Sequence, residues 1–139
     1  MRHEVNCDWK GDMAFEADVL GHKLLIDAGP EVGGHDAGPR PKPLILAALA
    51  GCSGMDVVSI LKKMREPLSA FSMRVVGDAA EEDPKYYEKI KIVYEFKEAD
   101  GLDRAKVEKA VSLSQEKYCG VAGLLKRAIP LAWEIVYRG

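Results

Sequence analysis

The sequence predicts an α+β fold in which two groups of strands flank one long apolar helix. Three observations carry this expectation. Apolar and polar residues alternate with a period of two in the first 27 positions and again after residue 70; a continuous apolar stretch begins at Leu44; and amphipathic helical periodicity returns only after residue 103. The implied order is βββ-α-ββ-αα-β. Strands and helices do not alternate strictly, which excludes a doubly wound parallel sheet. With 139 residues, 47% of them apolar, the chain is expected to form a single domain, residues 1–139, with a real core.

The opening strands are read from Val5, Cys7 and Trp9, then from Met13, Phe15, Ala17 and Val19, then from Leu24 and Ile26, each set alternating with polar neighbours. Gly11 and Gly21 mark the turns between them. Residues 28–43 carry four glycines and four prolines, which forbid regular structure and predict a long loop. Loops of that length inside compact domains are commonly functional.

Leu44 to Met64 reads as a long helix. Its first half, through Cys52, is apolar on every side, the signature of a buried helix. In its second half Asp56, Ser59, Lys62 and Lys63 are left to face water or a polar partner. One small sheet cannot cover such a helix on all sides, so a partner subunit is the simplest cover. Phe71, Met73 and Val75, then Ile90, Ile92, Tyr94 and Phe96, predict a hairpin across the acidic tip Glu81-Glu82-Asp83-Pro84. Residues 103–118 predict an amphipathic helix with Val107, Ala110, Val111, Ser114 and Tyr118 on one face. Cys119 and Gly120 interrupt it. A short helix from Val121 to Ala128 and a final strand from Leu131 to Tyr137 complete the chain.

Composition narrows the function classes. A net charge of −2, with no dense run of Lys and Arg, predicts no general attraction to nucleic acid or anionic membrane. The start, Met1-Arg2-His3-Glu4-Val5, lacks the pattern of a signal peptide. The apolar run from Leu44 to Met55 stops at Asp56, short of the roughly 20 residues that span a bilayer. A soluble, cytoplasmic protein is expected. There is no Gly-x-Gly-x-x-Gly, Walker or Gly-x-Ser-x-Gly sequence, and His3, His22 and His35 lie in polar or turn contexts without metal-site spacing.

Three cysteines remain, an odd number that argues against a disulfide framework. Cys7, between Val5 and Trp9, is read as packing. Cys52 sits in Gly51-Cys52-Ser53-Gly54, sharing a helix face with Ile45, Ala48, Leu49 and Met55. It is either a core cysteine of a close-packed helix or a thiol that flanking glycines make approachable. Cys119 stands at the start of the short helix, with Lys117, Lys126 and Arg127 near in sequence. That position favours an anion and so a thiolate, although a plain buried cysteine is the alternative.

The segment Pro39-Arg40-Pro41-Lys42-Pro43-Leu44-Ile45-Leu46-Ala47-Ala48-Leu49-Ala50-Gly51-Cys52-Ser53-Gly54-Met55-Asp56-Val57-Val58-Ser59-Ile60-Leu61 resembles the central-helix motif of the OsmC / organic hydroperoxide resistance family, in its OsmC-like branch. Ser114-Gln115-Glu116-Lys117-Tyr118-Cys119-Gly120-Val121-Ala122 resembles the family's second-cysteine motif, and Trp9, Gly11 and Phe15 resemble its opening hairpin. The resemblance implies an OsmC-like fold and an intertwined homodimer in which long central helices pack against mixed or antiparallel sheets, with sites at the subunit interface. It implies that Cys52 is the thiolate that reduces an organic hydroperoxide, that Cys119 closes a disulfide with it, and that an external dithiol, with lipoyl-type dithiols as candidates, restores both. No metal, haem or flavin is implied.

Characterised members carry an arginine in the first hairpin and a glutamate before the central helix. The stretches Gly11–Phe15 and Pro41–Leu44 hold neither, so Arg40, Lys42 and Arg127 become the candidates for stabilising the thiolate, with Met55 beside the substrate. The alternative function is a weakly catalytic or non-catalytic relative that binds an apolar ligand or senses oxidants.

Overall fold

The computed structural model describes residues 1–139 and resolves them into two compact units, Met1–Ile45 and Leu46–Gly139. The element order is that read from the sequence.

In the first unit, β1 (Val5–Trp9), β2 (Phe15–Val19) and β3 (His22–Ile26) form an antiparallel sheet in the order β1-β2-β3. Met13 falls outside β2. Residues 11–14 turn back on themselves, with Asp12 at φ 46° and Lys10 N–H bonded to Ala14 O at 2.8 Å, so the strand begins at Phe15. The β2–β3 connection is a two-residue turn with positive φ at both Leu20 and Gly21, the conformation that matches strand twist. Asp18 fixes it by accepting from Gly21 N–H at 2.8 Å. The pairing sets Val5 opposite Val19, Cys7 opposite Ala17 and Trp9 opposite Phe15, so these six residues share one face.

Much of that face is open: Trp9 is 65% exposed, and Val5, Phe15 and Val19 are exposed as well. Cys7 is also exposed, which corrects its assignment to packing; this unit is too thin to cover its own apolar face.

Residues 28–43 are not wholly irregular, as Pro30–Val32 makes one 3-10 turn. The buried Asp27 carboxylate organises the loop. It accepts from Ala28 N–H at 2.8 Å, His35 N–H at 3.0 Å and Ala37 N–H at 3.1 Å, and these bonds hold its pKa below the usual carboxylate value.

In the second unit, β4 (Phe71–Ala79) pairs antiparallel with β5 (Tyr87–Lys97), and β5 pairs parallel with β6 (Leu131–Arg138). A parallel pair needs a long crossover. It is supplied by α2 (Arg104–Leu113), a π turn (Ser114–Tyr118) and α3 (Gly120–Leu125). Asp103 starts α2 as an N-cap, accepting from Ala105 N–H at 3.0 Å. The central strand β5 is the most buried. Ile90, Ile92, Tyr94 and Phe96 project from one face, matched in register by Gly77, Val75, Met73 and Phe71 on β4 and by Leu131, Trp133, Ile135 and Tyr137 on β6. Against this face pack α1 (Leu44–Lys63), through Leu49, Val57 and Leu61, and α2, through Val107, Ala110 and Val111. Gly54 permits the close approach of α1 to β4, since a Cβ there would sit 3.0 Å from Met73 Sδ.

Only Leu49, Ser53, Val57 and Leu61 are buried along α1, while Ile45, Ala47, Ala48, Gly51, Met55 and Val58 are exposed, so one chain leaves half of the apolar helix uncovered, as expected of a helix that a single small sheet cannot cover. The expectation that its apolar run is too short to span a bilayer changes. The helix runs 20 residues with a mean hydropathy of 2.0 over its most apolar window. By length and composition alone that would suffice to cross a membrane, because a single Asp56 does not end it. Here it serves as the core helix of the second unit.

Candidate active site

Cys52 and Cys119 arrive from different elements, the middle of α1 and the junction between the π turn and α3. The fold brings them near one another: Cys52 is close enough to raise the pKa of Cys119, with Cys52 half-buried and Cys119 only 4% exposed. Cys119 caps α3, its sulfur accepting from Ala122 N–H at 3.3 Å. The sequence suggested that this position would favour a thiolate. Burial outweighs the cap. The pKa of Cys119 rises to about 11, with loss of hydration the largest cause, the Ala122 N–H opposing it, and the neighbouring Cys52 raising it further. Cys119 is therefore held as a thiol at neutral pH. A negative charge on Cys52 makes a second ionisation harder.

The π turn explains how Cys119 comes inward. Cys119 N–H bonds to Ser114 O, five residues back, at 2.8 Å. This wider turn breaks the helical register predicted for 103–118. Ser114 and Gln115 are buried, while Tyr118, expected on the buried face, swings out to 53% exposure.

Beneath the cysteine pair lies a polar cluster that sequence reasoning missed. Ser53 Oγ lies 2.6 Å from the Tyr94 hydroxyl and 2.8 Å from Ser114 Oγ, and Ser114 Oγ lies 3.0 Å from Asp56 Oδ2. Gln115 Nε2 reaches Tyr94 at 2.6 Å and Ser53 at 3.4 Å. Donor counting orders the chain. A carboxylate only accepts, so Ser114 donates to Asp56, Ser53 donates to Ser114, and Tyr94 donates to Ser53. Burial raises the pKa of the Tyr94 phenol and keeps it a donor. Gln115 Oε1 alone has no partner, an omission that costs about 1–3 kcal/mol. A signal for this cluster existed: Ser53 and Asp56 stand in an apolar helix, and Tyr94 stands in a strand of Ile and Val. Asp56, expected to face water or a polar partner, has Ser114 as its partner.

An apolar groove of about 740 Å³ runs along the exposed face of α1, lined among others by Gly51, Gly54, Met55, Val58, Phe71 and Met73. Met55, 76% exposed, stands at its edge. The candidate cations are placed as follows. Arg40 is tied to Asp36 at 2.6 Å and sits in the first unit, as does Lys42. Arg127 is exposed just after α3. Lys126, near Cys119 in sequence, gives its ammonium to Gln115 O and to Glu116 at 3.3 Å. All three histidines are exposed, and His35 pairs with Asp12 at 2.8 Å. No group of three His, Cys, Asp or Glu side chains could hold a metal ion.

Comparison with known proteins agrees with this architecture. The family model for OsmC-like proteins matches residues 34–134. Protein YhfA of Escherichia coli is 36% identical over 136 residues, covering 96% of this chain and 98% of its own. A crystal structure of a hypothetical protein from Aquifex aeolicus superposes with a TM-score of 0.83 at 29% identity, over 100% of this chain and 99% of that one. The organic hydroperoxide resistance protein OhrB of Bacillus subtilis shares the fold with a TM-score of 0.64 at 18% identity, over 97% and 98% of the two chains. The protein belongs to the OsmC-like family.

Proposed function

We propose that the chain is a thiol-dependent peroxidase acting on organic hydroperoxides through Cys52 and Cys119. The observation that carries this is the pair of neighbouring, unequally buried thiols that the fold draws from distant segments, Cys52 half-buried and Cys119 buried and held protonated. In the first step the Cys52 thiolate attacks the O–O bond. An S–O bond forms, the O–O bond breaks, and the alcohol leaves after taking a proton. Cys52 is then a sulfenic acid. In the second step the Cys119 sulfur attacks Cys52, an S–S bond forms, the S–O bond breaks, and the hydroxyl leaves as water with the thiol proton. An external dithiol reduces the disulfide by exchange. The apolar groove along α1, lined by Gly51 next to Cys52 in sequence and by Met55, suits the hydrocarbon part of the substrate.

The exposed apolar faces, around Trp9 and Phe15 in one unit and along α1 at Met55 and Val58 in the other, support a homodimer. Free thiols suit the reducing cytoplasm. The same groove would also suit a protein that only binds an apolar ligand, and one experiment separates the two. Free thiols are titrated after one equivalent of cumene hydroperoxide. A peroxidase loses two thiols within the mixing time of a manual assay; a protein that keeps all three is a binder.

A further inference from the structure

The buried polar cluster is unusual in where it is anchored. Ser53 is the residue next to Cys52 on α1. Ser114 begins the π turn that ends on Cys119, and its carbonyl takes the Cys119 N–H at 2.8 Å. The 2.8 Å bond between the two hydroxyls therefore ties the backbone carrying one thiol to the backbone carrying the other. Tyr94, from the central strand, and Gln115 clamp the tie from the sheet side, and Asp56, one helical turn beyond Cys52, closes it from the α1 side. Ser53, Tyr94, Ser114 and Gln115 are all at most 2% exposed. A core of this size could have been filled with apolar side chains at lower desolvation cost. An ordered chain of hydrogen bonds instead fixes one register between α1 and the π turn, which sliding apolar contacts do not.

We propose that Ser114 and Tyr94 are positioning residues for the resolving step: their hydrogen bonds to Ser53 hold the Cys119 turn against Cys52, so that the buried thiol meets the sulfenic acid at once. Neither touches the substrate. The inference rests on the peroxidase reading for its kinetic consequence, but the thiol–disulfide equilibrium of the pair tests it separately. Closing a disulfide demands Cα atoms within about 7 Å and converging side chains, so the register of the two turns governs both the rate of closure and the stability of the bond. Loosening the register lowers the effective concentration of one thiol at the other. Closure then slows and the disulfide becomes easier to reduce. Attack on peroxide is made by the Cys52 sulfur on α1 and does not require the Cys119 turn to be in register, so it is left intact.

The test uses the full-length protein with Tyr94→Phe, Ser114→Ala and, as the conservative control that keeps the hydroxyl, Ser114→Thr. Stopped-flow mixing with cumene hydroperoxide, with dimedone trapping and mass spectrometry, separates sulfenic acid formation from disulfide closure. Glutathione redox buffers give the exchange equilibrium of the pair. For Tyr94→Phe and Ser114→Ala the expected result is sulfenic acid formation at the wild-type rate and closure slowed at least tenfold. The disulfide should also be tenfold easier to reduce, about 30 mV in the potential of this two-electron couple. Ser114→Thr should restore both. If Ser114→Ala fails to fold, Tyr94→Phe, which keeps the ring and removes only the hydroxyl, decides alone. Wild-type closure and an unmoved equilibrium in the folded variants would overturn the proposal. If the wild-type protein forms no sulfenic acid, the peroxidase reading fails, and the glutathione equilibrium still decides whether the cluster positions the pair.

Discussion

The inequality of the two thiols has a consequence that pH exposes. Folding raises the pKa of Cys119 from 9.0 to about 11. A thiol with a raised folded pKa is protonated in both states at neutral pH, and its contribution to stability is intact there. As pH climbs past the unfolded value, the unfolded chain ionises first and gains free energy that the folded chain does not share. Stability therefore falls between pH 9 and 11, by at most about 3 kcal/mol for a shift of this size. The perturbation that isolates this is Cys52→Ser in a Cys7→Ser background, which leaves one thiol. It deletes the Cys52 contributions, both of which raise the pKa, and keeps burial, the largest cause. The pKa of Cys119 should then come down from about 11 and still stand above the ordinary value. The assay is iodoacetamide alkylation of the native protein from pH 7 to 11, read by mass spectrometry, paired with urea unfolding at each pH. An alkylation midpoint at or below 9.0, or an unfolding free energy flat across pH 9 to 11, would refute the reasoning.

Other perturbations test other parts of the structure. Cys52→Ser should abolish peroxide consumption, Cys119→Ser should consume one equivalent and stop with Cys52 as a sulfenic acid, and Cys7→Ser should turn over normally; loss of turnover in the Cys7 variant alone would overturn these roles. Multi-angle light scattering at micromolar concentration should give a dimer, and a folded monomer would sink the assembly proposed from the Trp9 and Met55 faces. Gly51→Ala meets no atom within 4 Å and should leave stability unchanged or raise it by about 0.5–1 kcal/mol in urea unfolding. Gly77→Ala would place a Cβ 2.7 Å from the Tyr87 ring and 3.1 Å from Leu46, and should destabilise by about 1–3 kcal/mol.

Patterns of two and 3.6 residues were enough to order the elements, because each strand and helix of the second unit buries a face that its own sequence defines. Ile90, Ile92, Tyr94 and Phe96 alternate in the sequence and all four are buried in the fold. The same patterns misjudged exposure. Cys7 read as buried because periodicity reports which face is apolar, not whether this chain supplies something to cover it. Met13 continued an alternation that the backbone abandons at Asp12, whose positive φ belongs to a turn.

The site itself was legible only in its two cysteines. Cys52 and Cys119 stand out by their glycine-flanked positions, but their meeting depends on a register break that the apolar pattern of 103–118 conceals. An unbroken α-helix through that stretch would keep Tyr118 on the face of Val107, Val111 and Ser114 and carry Cys119 about 100° further round. The five-residue turn from Ser114 to Tyr118 slips the register, buries Gln115 beside Tyr94, expels Tyr118 and lets Cys119 cap the next helix. Ser53, Ser114 and Gln115 are the polar residues that accompany this slip. In a helix pattern each reads as a tolerated polar substitution. Assembled, they form the hydrogen-bonded tie between the two segments that carry the thiols.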